Sequence, residues 1–155
     1  LGQFSVRPAI ATDIDMILME SKKMCLESPR FKDIAFDDDK AVKEVLEIIE
    51  SGGHFIAEDG GVFAGMVCGK VEPLWYSREL MGYDLFVYVP PDFRGSLALW
   101  LLVRRFEDWC WENGAKTVDL GIISEIAPKK TVKAYAKLGY ELTGYACTKV
   151  NPNKE

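Results

Sequence analysis

The chain has 155 residues, 48% of them hydrophobic and 28% charged, with a formal net charge of -5. That is the size of one domain, long enough to bury roughly 70% of its unfolded surface. The balance argues against a disordered chain. No apolar run approaches the ~20 residues of a membrane span, and the acidic excess disfavours a nucleic-acid partner, which asks for a basic face.

The first strand is expected at residues 4–7, ended by Pro8. Thr12 and Asp15 have capping-box spacing ahead of a helix whose apolar stripe is Ile14, Ile17 and Leu18. A loop follows from Ser28. Asp37 or Asp38 then caps a second helix with Val42, Val45, Leu46 and Ile49 on one face, stopped by Gly52 and Gly53. Residues 54–59 and 62–71 read as a hairpin, because Gly60-Gly61 supplies the positive φ angles of a tight turn. Residues 72–80 form a loop with two exposed-prone aromatics, Trp75 and Tyr76, which either pack the loop onto the core, the slightly favoured reading, or offer an aromatic wall to a substrate with an apolar or cationic part.

Residues 84–89 are a strand. From Ser96 a helix carries Leu99, Leu102, Val103 and Phe106 at the 3.6-residue period and ends at Asn113-Gly114. A strand over 116–123 follows. Pro128 then fits the first turn of a last helix with Val132, Tyr135, Ala136 and Leu138. Residues 140–150 are expected to hold two short strands around Gly144, and 151–155 a frayed tail. The expected fold class is α/β (α+β), one domain over 1–155. Its order is β-α-α-β-β-β-α-β-α-β-β, a mixed, mainly antiparallel sheet flanked by helices.

The most informative stretch joins the strand at 84–89 to the helix after Ser96 through Pro90-Pro-Asp-Phe-Arg-Gly95. A helix start aims free amides outward, Gly95 lets the backbone approach a ligand, and Arg94 can grip a phosphate in two places. Four widely spaced cysteines and a single histidine give no basis for a metal site. With no signal-peptide pattern, free thiols in a reducing, cytoplasmic compartment are expected. His54 reads as a solvent-facing or hydrogen-bonded structural residue.

Three local motifs resemble the GCN5-related N-acetyltransferases. They are Val87-Tyr-Val-Pro-Pro-Asp-Phe-Arg-Gly95, Phe106-Glu-Asp-Trp-Cys-Trp-Glu-Asn-Gly-Ala-Lys-Thr-Val118 and Lys133-Ala-Tyr-Ala-Lys-Leu-Gly-Tyr140. The resemblance covers residues 4 to about 150 and implies transfer of an acetyl group from acetyl-CoA to an amine. It implies that the backbone at Arg94, Gly95, Ser96, Leu97, Ala98 and Leu99 holds the diphosphate. The pantetheine arm would lie along Val87, Tyr88 and Val89, splayed from the following strand. Tyr135 would be the general acid toward the leaving thiolate. The family loop usually carries glycines where this chain has Leu97 and Leu99, which adds bulk beside a phosphate. Pro128 likewise stands where many members have an asparagine.

Acetyl transfer needs a base for the amine proton, since a free alkylamine is protonated at pH 7. Asp84 is the preferred base, ahead of Glu72 and Glu58. A strand amide near Val87 or Tyr88 would hold the oxyanion. The expected acceptor is a primary amine of a small molecule or peptide, with no nucleic-acid or membrane partner and a possible homodimer. The different-class alternative is a non-catalytic acetyltransferase-like module, motivated by the two leucines.

Overall fold

The computed structural model describes residues 2–154. Its elements are β1 (Phe4–Pro8), α1 (Ile14–Glu27), α2 (Asp38–Ser51), β2 (His54–Asp59), β3 (Val62–Pro73), β4 (Leu80–Tyr88), α3 (Ala98–Glu112), β5 (Ala115–Asp119) and α4 (Pro128–Lys137). Single 3-10 turns at Ala11–Asp13 and Pro91–Phe93 precede α1 and α3. The five strands lie in one sheet in chain order. The pairings from β1 to β4 are antiparallel, and β4–β5 is parallel. A parallel pair needs a long crossover, which α3 supplies. The α/β fold class expected from the sequence is the one observed.

The strand period of two sorts the core into two layers. Ile56, Met66 and Tyr88 face one side, where they meet Ile17 of α1 and Val45 of α2. Phe55 and Val67 face the other and meet Leu102, Phe106, Trp109 and Cys110 of α3. The hairpin glycines have φ of 56° and 84°, as the tight turn requires. At Asp37 the carboxylate accepts the Lys40 amide at 3.0 Å, the expected cap of α2. Gly52 closes that helix at φ 85°.

Four local expectations change. Thr12 does not cap α1. Asp13 takes the Ile10 amide at 2.8 Å and holds the Arg7 guanidinium at 2.8 and 2.9 Å, so β1 and the entry to α1 share one anchor. That ion pair keeps the Asp13 carboxyl below its ordinary pKa.

His54 is 1% exposed with neither ring nitrogen hydrogen-bonded. It packs edge-on to Phe86 at 6.0 Å, and burial pushes its pKa down to about 4. Trp75 and Tyr76 do not pack onto the core. They stack on each other at 5.3 Å between centroids, and Trp75 is 95% exposed. Finally, residues 140–150 form no strand.

Candidate active site

The β4–β5 ladder runs from Leu80↔Ala115 to Tyr83↔Asp119 and stops. From Asp84 to Tyr88, β4 stays paired with β3 alone. The expected strand over 116–123 is therefore shorter, because its second half turns away from β4 instead of pairing. Along residues 84–88 amides alternate in direction, so some face the opening with no strand partner. The register against β3 also slips here. Cys68 pairs with Phe86 and Gly69 with Asp84, which leaves Leu85 as a bulge, 41% exposed at the rim. Bulges re-aim side chains at sites of this kind.

Asp84 sits where the strands part. Its Oδ1 accepts the Gly121 amide at 2.7 Å, tying β4 to the segment that has left the sheet. Burial pushes its pKa up to about 6, the Gly121 and Asp84 amides oppose the rise, and the Asp119 charge adds to it. Tyr135 of α4 is buried. Burial and the nearby Asp84 charge both raise its hydroxyl pKa, which keeps the phenol protonated at neutral pH. The two residues proposed from the sequence as catalytic are thus brought within electrostatic reach of each other.

A pocket of about 300 Å³ opens beside Asp84. Its far wall is Phe31, Ile34 and Phe36 from the α1–α2 loop, and its floor includes Met24, Phe86 and Ile123. Asp84 is the sole carboxylate in that lining. The wall is held by Ser28, fully buried, whose hydroxyl donates to the Ser124 carbonyl at 2.5 Å. The Ser28 Oγ also accepts the Phe31 amide at 3.1 Å. Ser28 joins both lips of the pocket. A serine followed by proline signals a helix end in the sequence, but nothing there reveals its partner.

At the other end of the opening, the turn before α3 presents free amides. The amides of Ser96, Ala98 and Leu101 bond to Phe93 O, Ser96 Oγ and Leu97 O. Those of Gly95, Leu97, Leu99 and Trp100 are unpaired among the described residues. Gly95 has φ 82°, with no heavy atom within 4 Å of where a Cβ would stand. Leu97 is 59% exposed, so its side chain lies out in solvent.

Arg94 is less free than the sequence suggests. Its guanidinium makes a two-pronged ion pair with Glu27 at 2.5 and 2.7 Å, and its Nε donates to the Val89 carbonyl at 3.0 Å. Glu27 was not singled out in the sequence, since it lies 67 residues from Arg94 along the chain. The side chains of Val87 and Val89 pack toward α3, and that of Tyr88 packs toward α1 and α2. Of the three, only Tyr88 is buried; Val87 and Val89 are half-buried, and Val87 also lines the pocket beside Asp84. Glu72 accepts the Tyr83 hydroxyl at 2.7 Å and Glu58 pairs with Arg7, so both alternative bases are engaged elsewhere.

Residues 17–140 match the Acetyltransferase (GNAT) family. The chain belongs to that family. GNAT membership makes it an acyl-CoA-dependent N-acyltransferase, a transferase whose acyl donor is a CoA thioester. Solved structures with the same fold include the aminoglycoside N-acetyltransferase AAC(6')-Iy in complex with CoA. That likeness has TM-score 0.76 at 16% identity and covers 98% of this chain and 97% of that one. A GCN5-related N-acetyltransferase from Ralstonia eutropha JMP134 matches with TM-score 0.74 at 21% identity, over 95% and 98% of the two chains. Glucosamine-6-phosphate N-acetyltransferase from Arabidopsis thaliana matches with TM-score 0.71 at 19% identity, over 96% and 98%. Comparison with curated protein sequences finds no match. Among the described residues, no helix of this GNAT protein is long and apolar enough to cross a membrane.

Proposed function

We propose that this GNAT protein acetylates a primary amine of a small molecule or peptide, the amine being carried on an apolar or aromatic body. Acetyl-CoA is the proposed donor. The observation that carries the reading is Asp84: a half-buried carboxylate held by the Gly121 amide in the opening of the sheet, facing an apolar pocket on one side and Tyr135 on the other.

The diphosphate binds the unpaired amides of Gly95, Leu97 and Leu99, at the positive end of α3. Because the Leu97 side chain is exposed, it does not fill that cradle, and the motive for a non-catalytic module weakens. A phosphate arriving there competes with Glu27 for Arg94. The pantetheine arm lies along the unpaired edge of Val87, Tyr88 and Val89.

In the chemical step the amine nitrogen attacks the thioester carbonyl, forming the C–N bond. Asp84 accepts the ammonium proton directly or through water. A β4 amide facing the opening, at Val87 or Tyr88, stabilises the oxyanion; one such donor is worth about 3 kcal/mol. The C–S bond then breaks, and the Tyr135 hydroxyl protonates the departing thiolate. A base whose conjugate acid has a pKa of about 6 suits the first transfer at neutral pH.

The acceptor class follows from the pocket. Aromatic and aliphatic groups line it, and one carboxylate supplies its whole negative charge. A polycation would leave its other ammonium groups against Phe31, Ile34 and Phe36. The test is titration calorimetry with CoA, followed by acetyl-CoA turnover with 2-phenylethylamine and with kanamycin. One CoA per chain, and turnover favouring 2-phenylethylamine, is expected. Absence of CoA binding contradicts the donor site, and preference for kanamycin contradicts the acceptor class.

A further inference from the structure

The two lips of the pocket beside Asp84 are held very differently. On the α1 side stands Ser28, fully buried and with every polar atom engaged. Its amide bonds to the Met24 and Cys25 carbonyls at 3.1 and 3.2 Å, and its carbonyl accepts the Lys32 amide at 3.0 Å. Ser28 closes α1, and Pro29 carries the chain away from the helix axis. This lip is a rigid post.

The opposite lip has little of its own. Between β5 and α4, residues 121–127 form no helix or strand. Glu125 and Ala127, at φ of 59° and 45°, are the only non-glycine residues with positive φ among those described, a conformation that a Cβ disfavours. Such a backbone persists only where its surroundings hold it. Among the described residues, two hydrogen bonds tie residues 121–127 to the rest of the molecule. The Gly121 amide donates to Asp84 Oδ1 at 2.7 Å, and the Ser124 carbonyl accepts the Ser28 hydroxyl at 2.5 Å.

We propose that Ser28 is a positioning residue for acetyl transfer: through Ser124 it holds the 121–124 segment against the opening of β4, keeping the Gly121 amide on Asp84 and the pocket at its width. The proposal rests on the reading of Asp84 as the base. Ile123, between the two anchor points, lines the pocket, so movement of the segment changes the space open to the amine. Asp84 is faced by Asp119 from β5, Tyr135 from α4, Cys68 from β3 and, across the pocket, Cys25 from α1. None of them is a cation. Burial raises the Asp84 pKa to about 6, and the Gly121 amide is the foremost influence opposing the rise. Without the clasp that amide moves off the carboxylate, and the Asp84 pKa climbs further.

Ser28→Ala removes the clasp, and Ser28→Thr keeps a hydroxyl at the same place. Amide exchange followed by NMR should be about tenfold faster at Gly121 in Ser28→Ala. With 2-phenylethylamine and saturating acetyl-CoA at pH 8, where Asp84 is ionised in either protein, KM for the amine should rise about tenfold while kcat falls less than about threefold. A protein that was only destabilised would lose kcat with its folded fraction and keep its KM. The acid limb of kcat/KM should move up from near pH 6 by about half a pH unit or more. Ser28→Thr should restore both readouts. Should Ser28→Ala fail to fold by circular dichroism, Ser28→Cys, a much weaker donor of similar shape, carries the test. A folded variant with wild-type exchange at Gly121, or with KM and the acid limb both unmoved, overturns the inference. Exchange is read without turnover. An acid limb that survives Asp84→Asn, or an absence of turnover with this amine, would therefore contradict the proposed function, while Gly121 exchange still decides the clasp.

Discussion

The two halves of β4 have different jobs, and their neighbours decide which. Its first part, Leu80 to Tyr83, is paired on both sides and packed without slack. A Cβ on Gly82 would meet the Cys110 side chain. The second part, from Asp84 to Tyr88, has a partner on one side only. It carries a bulge and places a carboxylate in an opening. Stability is concentrated where the ladder is complete, and the proposed chemistry where it stops. Asp84 sits at the boundary, rigid enough to be aimed and solvent-starved enough to have its pKa raised.

If that division is right, substitutions on either side of the boundary should separate stability from turnover. The largest effect is expected at Asp84→Asn, which should lower kcat/KM about a hundredfold or more. The same variant should unfold at an equal or higher temperature. The folded-state pKa of Asp84 is raised to about 6 from an ordinary 3.8, so the fold favours the protonated form. Asp84 therefore contributes stability that is present at low pH and lost as pH rises through about 6. The stability advantage of Asn should be greatest near pH 8 and should vanish toward pH 4; thermal melts across that range check it.

Gly82→Ala should do the reverse. Its methyl group has no room, and a cost of about 3 kcal/mol, or a fall of about 10 °C in Tm, is expected. The folded fraction should keep its kcat. A variant with intact stability and impaired turnover would break the comparison.

Tyr135→Phe comes next. It should lower kcat about tenfold to a hundredfold with KM nearly unchanged, as measured with saturating acetyl-CoA, because the ring still packs while the proton donor is gone. The smallest effect is expected at Glu27→Gln. An exposed ion pair contributes at most about 1 kcal/mol, so Tm should barely move. Freed of Glu27, Arg94 should hold CoA a few-fold more tightly by calorimetry. Weaker CoA binding would instead mean that Glu27 positions Arg94 for the phosphate.

Much of this was legible in the sequence, for physical reasons that also explain the gaps. The caps and glycine turns are local, and Asp37, Gly60 and Gly61 act as their spacing predicts. The periodic faces of α2 and α3 are likewise local patterns answered by burial. Asp84 and Tyr135 could be singled out, but their proximity depends on where β5 leaves β4. Strand propensity does not say where a ladder ends, and so the strand expected over 116–123 closes at Asp119.

Contacts far apart in sequence were hidden altogether. Glu27 meets Arg94 across 67 residues, and Ser28 meets Ser124 across 96. At Leu97 the side chain is exposed while the amide stays free, a division between side chain and backbone that the residue type alone does not reveal. His54 was misjudged because a lone imidazole at a strand start gives no sign of what will cover it.

The measurement that bears most directly on the central claim is the pH dependence of kcat/KM for the faster amine of the pair named above, at saturating acetyl-CoA, in wild type and Asp84→Asn. With Asp84 as the base, wild type should show an acid limb centred near pH 6, its rate falling as the carboxylate takes up a proton. The variant should lack that limb. An Asp84→Asn enzyme that retains both the wild-type rate and the limb near pH 6 would contradict the account.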